Sequence, residues 1–308
     1  MFSFGRERAQ IELYGKLPLA KDYLRVGCAD GAGRELREWL DRAFGSARDA
    51  ASQPVLGEPL RFLGQASDAP LQGCLWPSTD EGGKRSFPFA LFVQRHRKPL
   101  VADLGDGLPV AEALWRELEA LRDSAAQGPD GAHFLDALRG REIDLEDLRP
   151  RVRLRTDFED WLASLWPADL QEGLASELRE LRALARDARG GPWRLPLARE
   201  LPLLDQVLAW TSALLEFGGL TKDRPPTLFF PAAATALGAS TREPAFLVAS
   251  SAPLSNEQVA WLLPASAERV LGERDLSRGQ RASEREPRGD PEGGRSLVEA
   301  LRGFLSEH

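Results

Sequence analysis

The sequence predicts an α/β (α+β) fold: a mixed, largely antiparallel sheet flanked by helices, with a helical middle region and a disordered C-terminal tail. Three observations lead to this prediction. Apolar and polar residues alternate along short runs in the first hundred residues, which is typical of strands. Leucines recur every three or four residues in the middle of the chain, which is typical of amphipathic helices. Beyond residue 272 large apolar side chains become so rare that burial cannot offset the entropy lost on ordering.

The chain is predicted to start with a strand and a helix. Alternation around Ile11 predicts a half-buried strand that ends at Gly15, a residue type that adopts backbone geometries others resist. A helix over residues 33–48 follows, because its large apolar side chains recur at helical spacing. That apolar face consists of Leu36, Trp39, Leu40, Ala43 and Phe44.

Three further strands are predicted over residues 60–64, 73–76 and 87–94. The residues between the last two runs are rich in turn formers, so these two strands are expected to form a long hairpin. Pro88 lies inside the last run, and proline cannot donate a hydrogen bond to a neighbouring strand. Its presence indicates an edge strand or a bulge.

The remaining elements are predicted from periodicity and helix caps. Apolar stripes at 114–121, 134–138, 158–165, 170–185 and 203–215 predict helices, and the runs 227–230 and 245–249 predict buried strands. A capping box at 255–258 predicts one more helix, and 297–305 a terminal amphipathic turn. The predicted organisation begins with a strand, helix and hairpin region (1–100) and continues with a helical region (101–222). A strand-strand-helix part of the same domain follows (223–268). The chain ends in a tail (269–308) that is predicted to be disordered over 272–295 and to finish with a short helix.

Composition excludes several classes of function. The 308 residues include 40 basic and 47 acidic ones, so the net charge of −7 argues against a nucleic-acid binder and a polybasic membrane protein. The sequence contains no run of about 20 apolar residues, so direct membrane insertion is not expected. The N-terminus lacks the apolar segment of a signal peptide. Cys28 and Cys74 are too few for a disulfide framework. We therefore expect a cytoplasmic protein with reduced thiols.

The sequence contains little that supports catalysis. Its three histidines fall in no metal-ligand spacing, and no nucleophile has a nearby base. We therefore expect a protein that is not an enzyme and uses no metal or other cofactor. The backbone amides and side chains of the loop Gly82-Gly83-Lys84-Arg85 could hold an anion, although a tight hairpin turn is the favoured explanation. A basic hairpin tip accounts for the same residues.

A set of motifs in the first ninety residues resembles the TagF/ImpM family associated with bacterial type VI secretion. These motifs are Gly15-Lys16-Leu17-Pro18, Asp22-Tyr23, Pro77-Ser78-Thr79-Asp80, Arg85 and Phe87-Pro88. The sequence departs from the family pattern at Lys21, where the family has glycine, and at Tyr23, where it has phenylalanine. Because Asp22 and Asp80 each have basic neighbours, an ion pair between the two loops is expected.

The resemblance implies a non-enzymatic, post-translational regulator of type VI secretion. It implies a repressor that binds and sequesters a forkhead-associated (FHA) scaffold protein of the apparatus. Two alternatives stay open: a structural or assembly accessory subunit, and a small-ligand or phosphate-responsive enzyme. The candidate residues are expected to contact the partner or to stabilise the fold, and they are Gly15, Lys16, Leu17, Pro18, Asp22, Ser78, Asp80, Arg85, Phe87 and Pro88.

Overall fold

Within the part of the chain that the structure describes, nine strands form one sheet and four helices flank it. The computed structural model describes residues 8–45, 56–66, 69–95, 104–145, 193–197, 203–216, 227–232 and 245–250. The strands are β1 (Arg8–Gly15), β2 (Leu24–Val26), β3 (Leu60–Gln65), β4 (Pro70–Trp76), β5 (Phe89–Gln94), β6 (Glu142–Asp144), β7 (Trp193–Leu197), β8 (Thr227–Pro231) and β9 (Ala245–Ser250). The helices are α1 (Gly31–Phe44), α2 (Leu104–Ala125), α3 (Gly131–Leu138) and α4 (Leu203–Glu216).

Every pairing between the described strands is antiparallel. The order across the sheet is β2-β1-β5-β4-β3-β8-β9-β7, and β6 pairs with the first residues of β1. The α+β class with a largely antiparallel sheet is therefore confirmed. The predicted hairpin is also confirmed, because β4 and β5 pair from Leu71 with Gln94 to Trp76 with Phe89.

Helices cover both faces of the sheet. On one face α2, α3 and α4 pack around Trp115, Phe134 and Val207, and on the other α1 packs through its predicted apolar stripe. Successive residues of a strand point to opposite faces, so a strand in such a sheet is buried on both. The expectation of a half-buried β1 is wrong for this reason, because Glu12 and Tyr14 are buried as well as Ile11 and Leu13.

The boundaries of α1 differ from the predicted 33–48. The helix begins at Gly31 and ends at Phe44, where the backbone N–H of Gly45 donates to the carbonyl of Asp41 at 2.9 Å. Gly45 keeps right-handed backbone angles (φ −95°, ψ −14°), and glycine favours the end of the helix because its helix propensity is low. All five predicted apolar residues of the stripe are buried.

Pro88 does not mark an edge strand, which corrects the expectation drawn from it. β5 lies between β1 and β4 and begins at Phe89, one residue after the proline. The register of Trp76 with Phe89 continues to a bridge between Thr79 and Ser86, which places Pro77 opposite Pro88. Neither proline has a backbone N–H, so the two interrupt the ladder between strand and loop.

Three strands, β2, β6 and β7, were not predicted. The first two have three residues each, too few to show a period, and β7 contains Pro196. Two of them, β6 and β7, lie within 101–222, where only helices are predicted. The predicted helices at 158–165 and 170–185, the helix after residue 255 and the whole tail 269–308 lie outside the described residues. Among the helices described, none combines the length and the hydropathy that crossing a membrane requires.

Candidate functional site

The motif residues meet where β1 leaves the sheet beside the β4–β5 hairpin. Gly15 is the last residue of β1 and has a φ of 138°. A Cβ at this position would lie 2.2 Å from the carbonyl oxygen of Pro88, closer than any side chain tolerates. Gly15 therefore supplies a geometry that other residues resist, as predicted, and allows the loop after β1 to lie against the hairpin.

Two contacts join the loop after β1 to the tip of the hairpin. The Lys16 Nζ lies 3.5 Å from Asp80 Oδ2, and the backbone N–H of Glu81 donates to the carbonyl of Ala20 at 3.1 Å. Residues 16–23 and 77–86 together are called the two-loop surface below. The expected ion pair between the loops is confirmed for Asp80, whereas Asp22 is exposed and forms no salt bridge to a described residue.

Asp80 is the centre of the polar contacts within this surface. Its Oδ2 accepts from Arg85 Nε at 2.8 Å, and its Oδ1 accepts from the backbone N–H groups of Lys84 at 2.9 Å and Arg85 at 3.3 Å. The hydrogen bond from Arg85, followed by these backbone donors and the charge of Lys16, lowers the pKa of Asp80 to about 2. The carboxylate is therefore ionised over the whole range in which proteins are usually handled.

The same contacts bear on the proposed anion loop at 82–85. Its backbone donors at Lys84 and Arg85 already bind the Asp80 carboxylate, which is itself an anion. A phosphate would have to displace a carboxylate that is held by two amides and a guanidinium. The geometry therefore favours a hairpin tip whose basic residues bind Asp80, and it does not favour a loop that binds a separate anion.

Aromatic rings form the second part of the two-loop surface. The Tyr23 ring stacks on Tyr14 with centroids 5.5 Å apart, and it meets Phe87 edge-on at 4.8 Å. The Lys16 Nζ lies 4.7 Å from the centroid of the Tyr23 ring, a cation–π distance. Tyr14 is anchored in turn, because its hydroxyl donates to Asp41 of α1 at 2.6 Å. Tyr23 nevertheless keeps 41% of its surface exposed.

The structure divides the predicted site residues into buried and accessible ones. Lys16 is 1% exposed, and its burial with Asp80 makes this pair part of the scaffold. The buried members are Gly15, Lys16, Leu17, Asp80, Phe87 and Pro88. The accessible members are Pro18, Asp22 and Arg85, and Ser78 is half-buried.

Tyr23 is absent from the predicted set, although it is accessible and touches Lys16. The signal that identifies it is local: it is a large aromatic residue within the short exposed run 21–23. Sequence patterns treat such a residue as a strand or core candidate, because burial is the usual fate of an aromatic ring. Among the described residues, Tyr23 is the large hydrophobic residue that stays exposed.

Both cysteines and the Glu12 carboxylate are enclosed in the core. Cys28 and Cys74 are free and buried, and burial raises the pKa of both thiols, which disfavours the thiolate. The buried Glu12 carboxylate accepts from the backbone N–H of Cys28 at 2.7 Å and from the Gln94 amide. No cluster of three or more His, Cys, Asp or Glu side chains in the described ranges could hold a metal ion.

Comparison with known proteins gives a match for the part of the chain that carries these motifs. Residues 12–139 match the family model described as the TagF N-terminal domain, type VI secretion system-associated. No curated protein matches the chain. A crystal structure of PA0076 from Pseudomonas aeruginosa PAO1 is similar at 15% identity and a TM-score of 0.39, over 83% of this chain and 94% of that one. The family match includes every motif residue from Gly15 to Pro88, so residues 12–139 are similar to the TagF N-terminal domain, which is type VI secretion system-associated.

Proposed function

We propose that this protein is a non-enzymatic, post-translational repressor of bacterial type VI secretion that binds and sequesters an FHA scaffold protein of the apparatus. The observation that carries the proposal is the match of residues 12–139 to the TagF N-terminal domain, a segment that contains the complete two-loop surface. Repression and an FHA partner are what the resemblance to this family implies. The proposed place of action is the cytoplasm, where the scaffold would be available before assembly.

The two-loop surface has the properties of a binding surface. Its loops are tied to each other by the Lys16–Asp80 ion pair and to the sheet by Gly15 and Phe87. A surface that is ordered before binding loses little conformational entropy when the partner arrives. This preorganisation supports a role in protein binding, with the partner contacting the exposed side chains rather than the buried motif residues.

The alternative of a phosphate-responsive enzyme receives less support from the same geometry. The amides of Lys84 and Arg85 bind Asp80, and the thiols of Cys28 and Cys74 are buried in the core. A nucleophile must be reachable and activated, whereas burial raises the pKa of these two thiols. A binding role needs none of these groups to react.

Sequestration follows from mass action. A scaffold molecule bound to the repressor is withdrawn from the pool that nucleates assembly, so secretion falls when the concentration of free repressor exceeds the dissociation constant of the complex. Such a complex would contain one scaffold molecule and the repressor, and it would stay separate from the assembled apparatus.

The test combines a deletion with a direct binding measurement. Deleting the gene under repressing conditions is expected to start secretion, and the purified protein is expected to bind the purified FHA scaffold of the same bacterium in calorimetry. Secretion that stays off in the deletion strain would contradict repression. Elution of the protein with the large apparatus in size-exclusion chromatography, rather than with the soluble scaffold, would instead favour an accessory subunit.

A further inference from the structure

We propose that Tyr23 and Arg85 are the anchor of the two-loop surface, and that they bind an acidic protein face which offers a carboxylate beside an apolar contact. The inference rests on the proposed function, because it names the residues through which the scaffold would be held. Lys16 and Asp80 act as positioning residues, since they lie behind the anchor and hold it in place.

Tyr23 presents an aromatic ring that is fixed before any partner binds. One face stacks on Tyr14, an edge contact is made with Phe87, and Lys16 Nζ lies 4.7 Å from the ring centroid. With 41% of its surface still exposed, the ring can bury further area without first losing rotamer freedom. Tyrosine is one of the residue types that are enriched among the residues that dominate interface energies.

The Arg85 guanidinium is held in one orientation by Asp80, and part of its hydrogen-bonding capacity is still available to a partner. Its Nε donates to Asp80 at 2.8 Å, while its terminal nitrogens bond to none of the described residues. The side chain is 63% exposed. A guanidinium fork matches the geometry of a carboxylate, and the Asp80 contact fixes the plane in which that fork lies. The chemistry of Arg85 therefore favours an acidic side chain on the partner.

The exposed charges around the anchor agree with an acidic partner. Three basic and two acidic side chains are exposed on the two-loop surface, a net of +1, whereas the whole chain carries −7. The buried charges of Lys16 and Asp80 cancel. The exposed residues are Lys21, Lys84 and Arg85 on the basic side, and Asp22 and Glu81 on the acidic side.

The test measures the affinity of the full-length protein for the purified FHA scaffold by calorimetry at low and at physiological ionic strength. The variants are Tyr23→Ala, Tyr23→Phe and Arg85→Ala. The matched control is Arg116→Ala, because Arg116 of α2 is 71% exposed and, like Arg85, bonds one acidic neighbour, Glu112. Thermal unfolding of each variant verifies that it is folded.

We expect Tyr23→Ala to weaken binding about 30-fold and Arg85→Ala about tenfold, with a smaller salt dependence for the second. Tyr23→Phe and Arg116→Ala should bind within about twofold of the wild type, since the first keeps the ring and the second lies outside the surface. Hydrogen exchange of the wild-type complex should show protection at 16–23 and 77–86, a result that needs no variant to fold.

Two failures would be distinguishable. Wild-type affinity in both alanine variants, or unprotected loops in the wild-type complex, would overturn the anchor and leave the proposed function intact. A wild-type protein that does not bind the scaffold at all would overturn the proposed function, and the anchor with it.

Discussion

At the residue scale, the ion pair between Lys16 and Asp80 shows how a family motif serves the scaffold. Both side chains are buried, and a buried charge is tolerated only when its partners replace the water it has lost. Asp80 meets this condition with two backbone donors, the Arg85 guanidinium and Lys16. The pair joins two loops that are more than sixty positions apart in the chain.

The first prediction concerns the loss of this carboxylate. Asp80→Asn should lower the free energy of unfolding at neutral pH, because it leaves Lys16 buried without a counter-charge. Lys16→Met should cost less, since Asp80 keeps its three other donors. Urea unfolding measures both. Asp136→Asn is the control, because Asp136 forms an exposed ion pair with Arg139 on α3. Equal costs at positions 80 and 136 would contradict a structural role for Asp80.

The pKa of Asp80 predicts how this contribution depends on pH. Because folding lowers the pKa of the carboxyl from its ordinary value to about 2, the ionised form stabilises the fold. The stability difference between wild type and Asp80→Asn should be complete above about pH 5 and should shrink as the pH falls towards 2. Urea titrations across this range measure the difference, and one that stays constant would contradict the assignment.

Gly15 carries the second residue-scale prediction on stability. Gly15→Ala should cost about 3 kcal/mol, because it combines a strained backbone with a Cβ that clashes with Pro88. Gly82→Ala is the matched control in the same surface, since its Cβ would meet Lys84 only at an ordinary distance of 3.6 Å. It should change the free energy of unfolding by less than about 0.5 kcal/mol. Similar costs for the two variants, measured in urea, would argue against the close approach.

At the element scale, a second ion pair fixes α2 on the sheet. Arg61 of β3 binds Glu119 of α2 through two hydrogen bonds of 2.8 and 3.0 Å, and its guanidinium lies 5.7 Å from the ring centroid of Trp115. The Trp115 indole donates to the carbonyl of Phe62 at 3.3 Å. These polar contacts give the apolar interface between helix and strand a defined register.

A double-mutant cycle tests this coupling. Glu119→Ala should cost about 2 kcal/mol, because it leaves the buried Arg61 guanidinium without its acceptor. Arg61→Met in the same background should recover part of the loss, since it removes the uncompensated charge. The free energies of unfolding of the wild type, both single variants and the double variant give the coupling energy. Purely additive costs would mean that the pair contributes nothing beyond packing.

Local periodicity predicted most of these elements and missed others for identifiable reasons. The stripe of α1 and the alternation of β1 and β5 are repeated often enough to be recognised. The three residues of β2 and of β6 show no period, and their pairing with β1 is what makes them strands. The edge assignment from Pro88 failed because a proline just before a central strand has the same sequence appearance as one inside an edge strand.

At the scale of the whole molecule, the sheet extends beyond the segment that matches the family model. β3 lies between β4 and β8, so the strand at 227–231 completes the hydrogen bonding of a strand at 60–65. Aromatic contacts also connect β8 to the helices: Phe229 stacks on Trp39 of α1, and Phe230 meets Trp115 of α2 edge-on. Both cores therefore depend on residues outside 12–139.

The corresponding prediction concerns a truncated chain. A fragment of residues 1–145 keeps the matched segment but lacks β8 and β9, which exposes the edge of β3 and the apolar surfaces of Trp39 and Trp115. It should unfold at a lower temperature than the full chain, with a broader transition, when followed by circular dichroism. The full-length protein with Phe229→Ala, expected to lose about 3 kcal/mol, is the companion variant. A fragment as stable as the full chain would show that the matched segment folds independently.

Residues that are neighbours along the chain are enough to specify the α+β class, the α1 stripe, the hairpin, the special backbone of Gly15 and the motifs at the two loops. These rest on side-chain period and backbone preference, which a short window of residues contains. Contacts between distant segments place β8 beside β3, bury β1 on both faces and put β5 in the middle of the sheet. They also decide which motif residues are accessible, because the exposure of Tyr23 and Arg85 and the burial of Lys16 depend on contacts between distant parts of the chain.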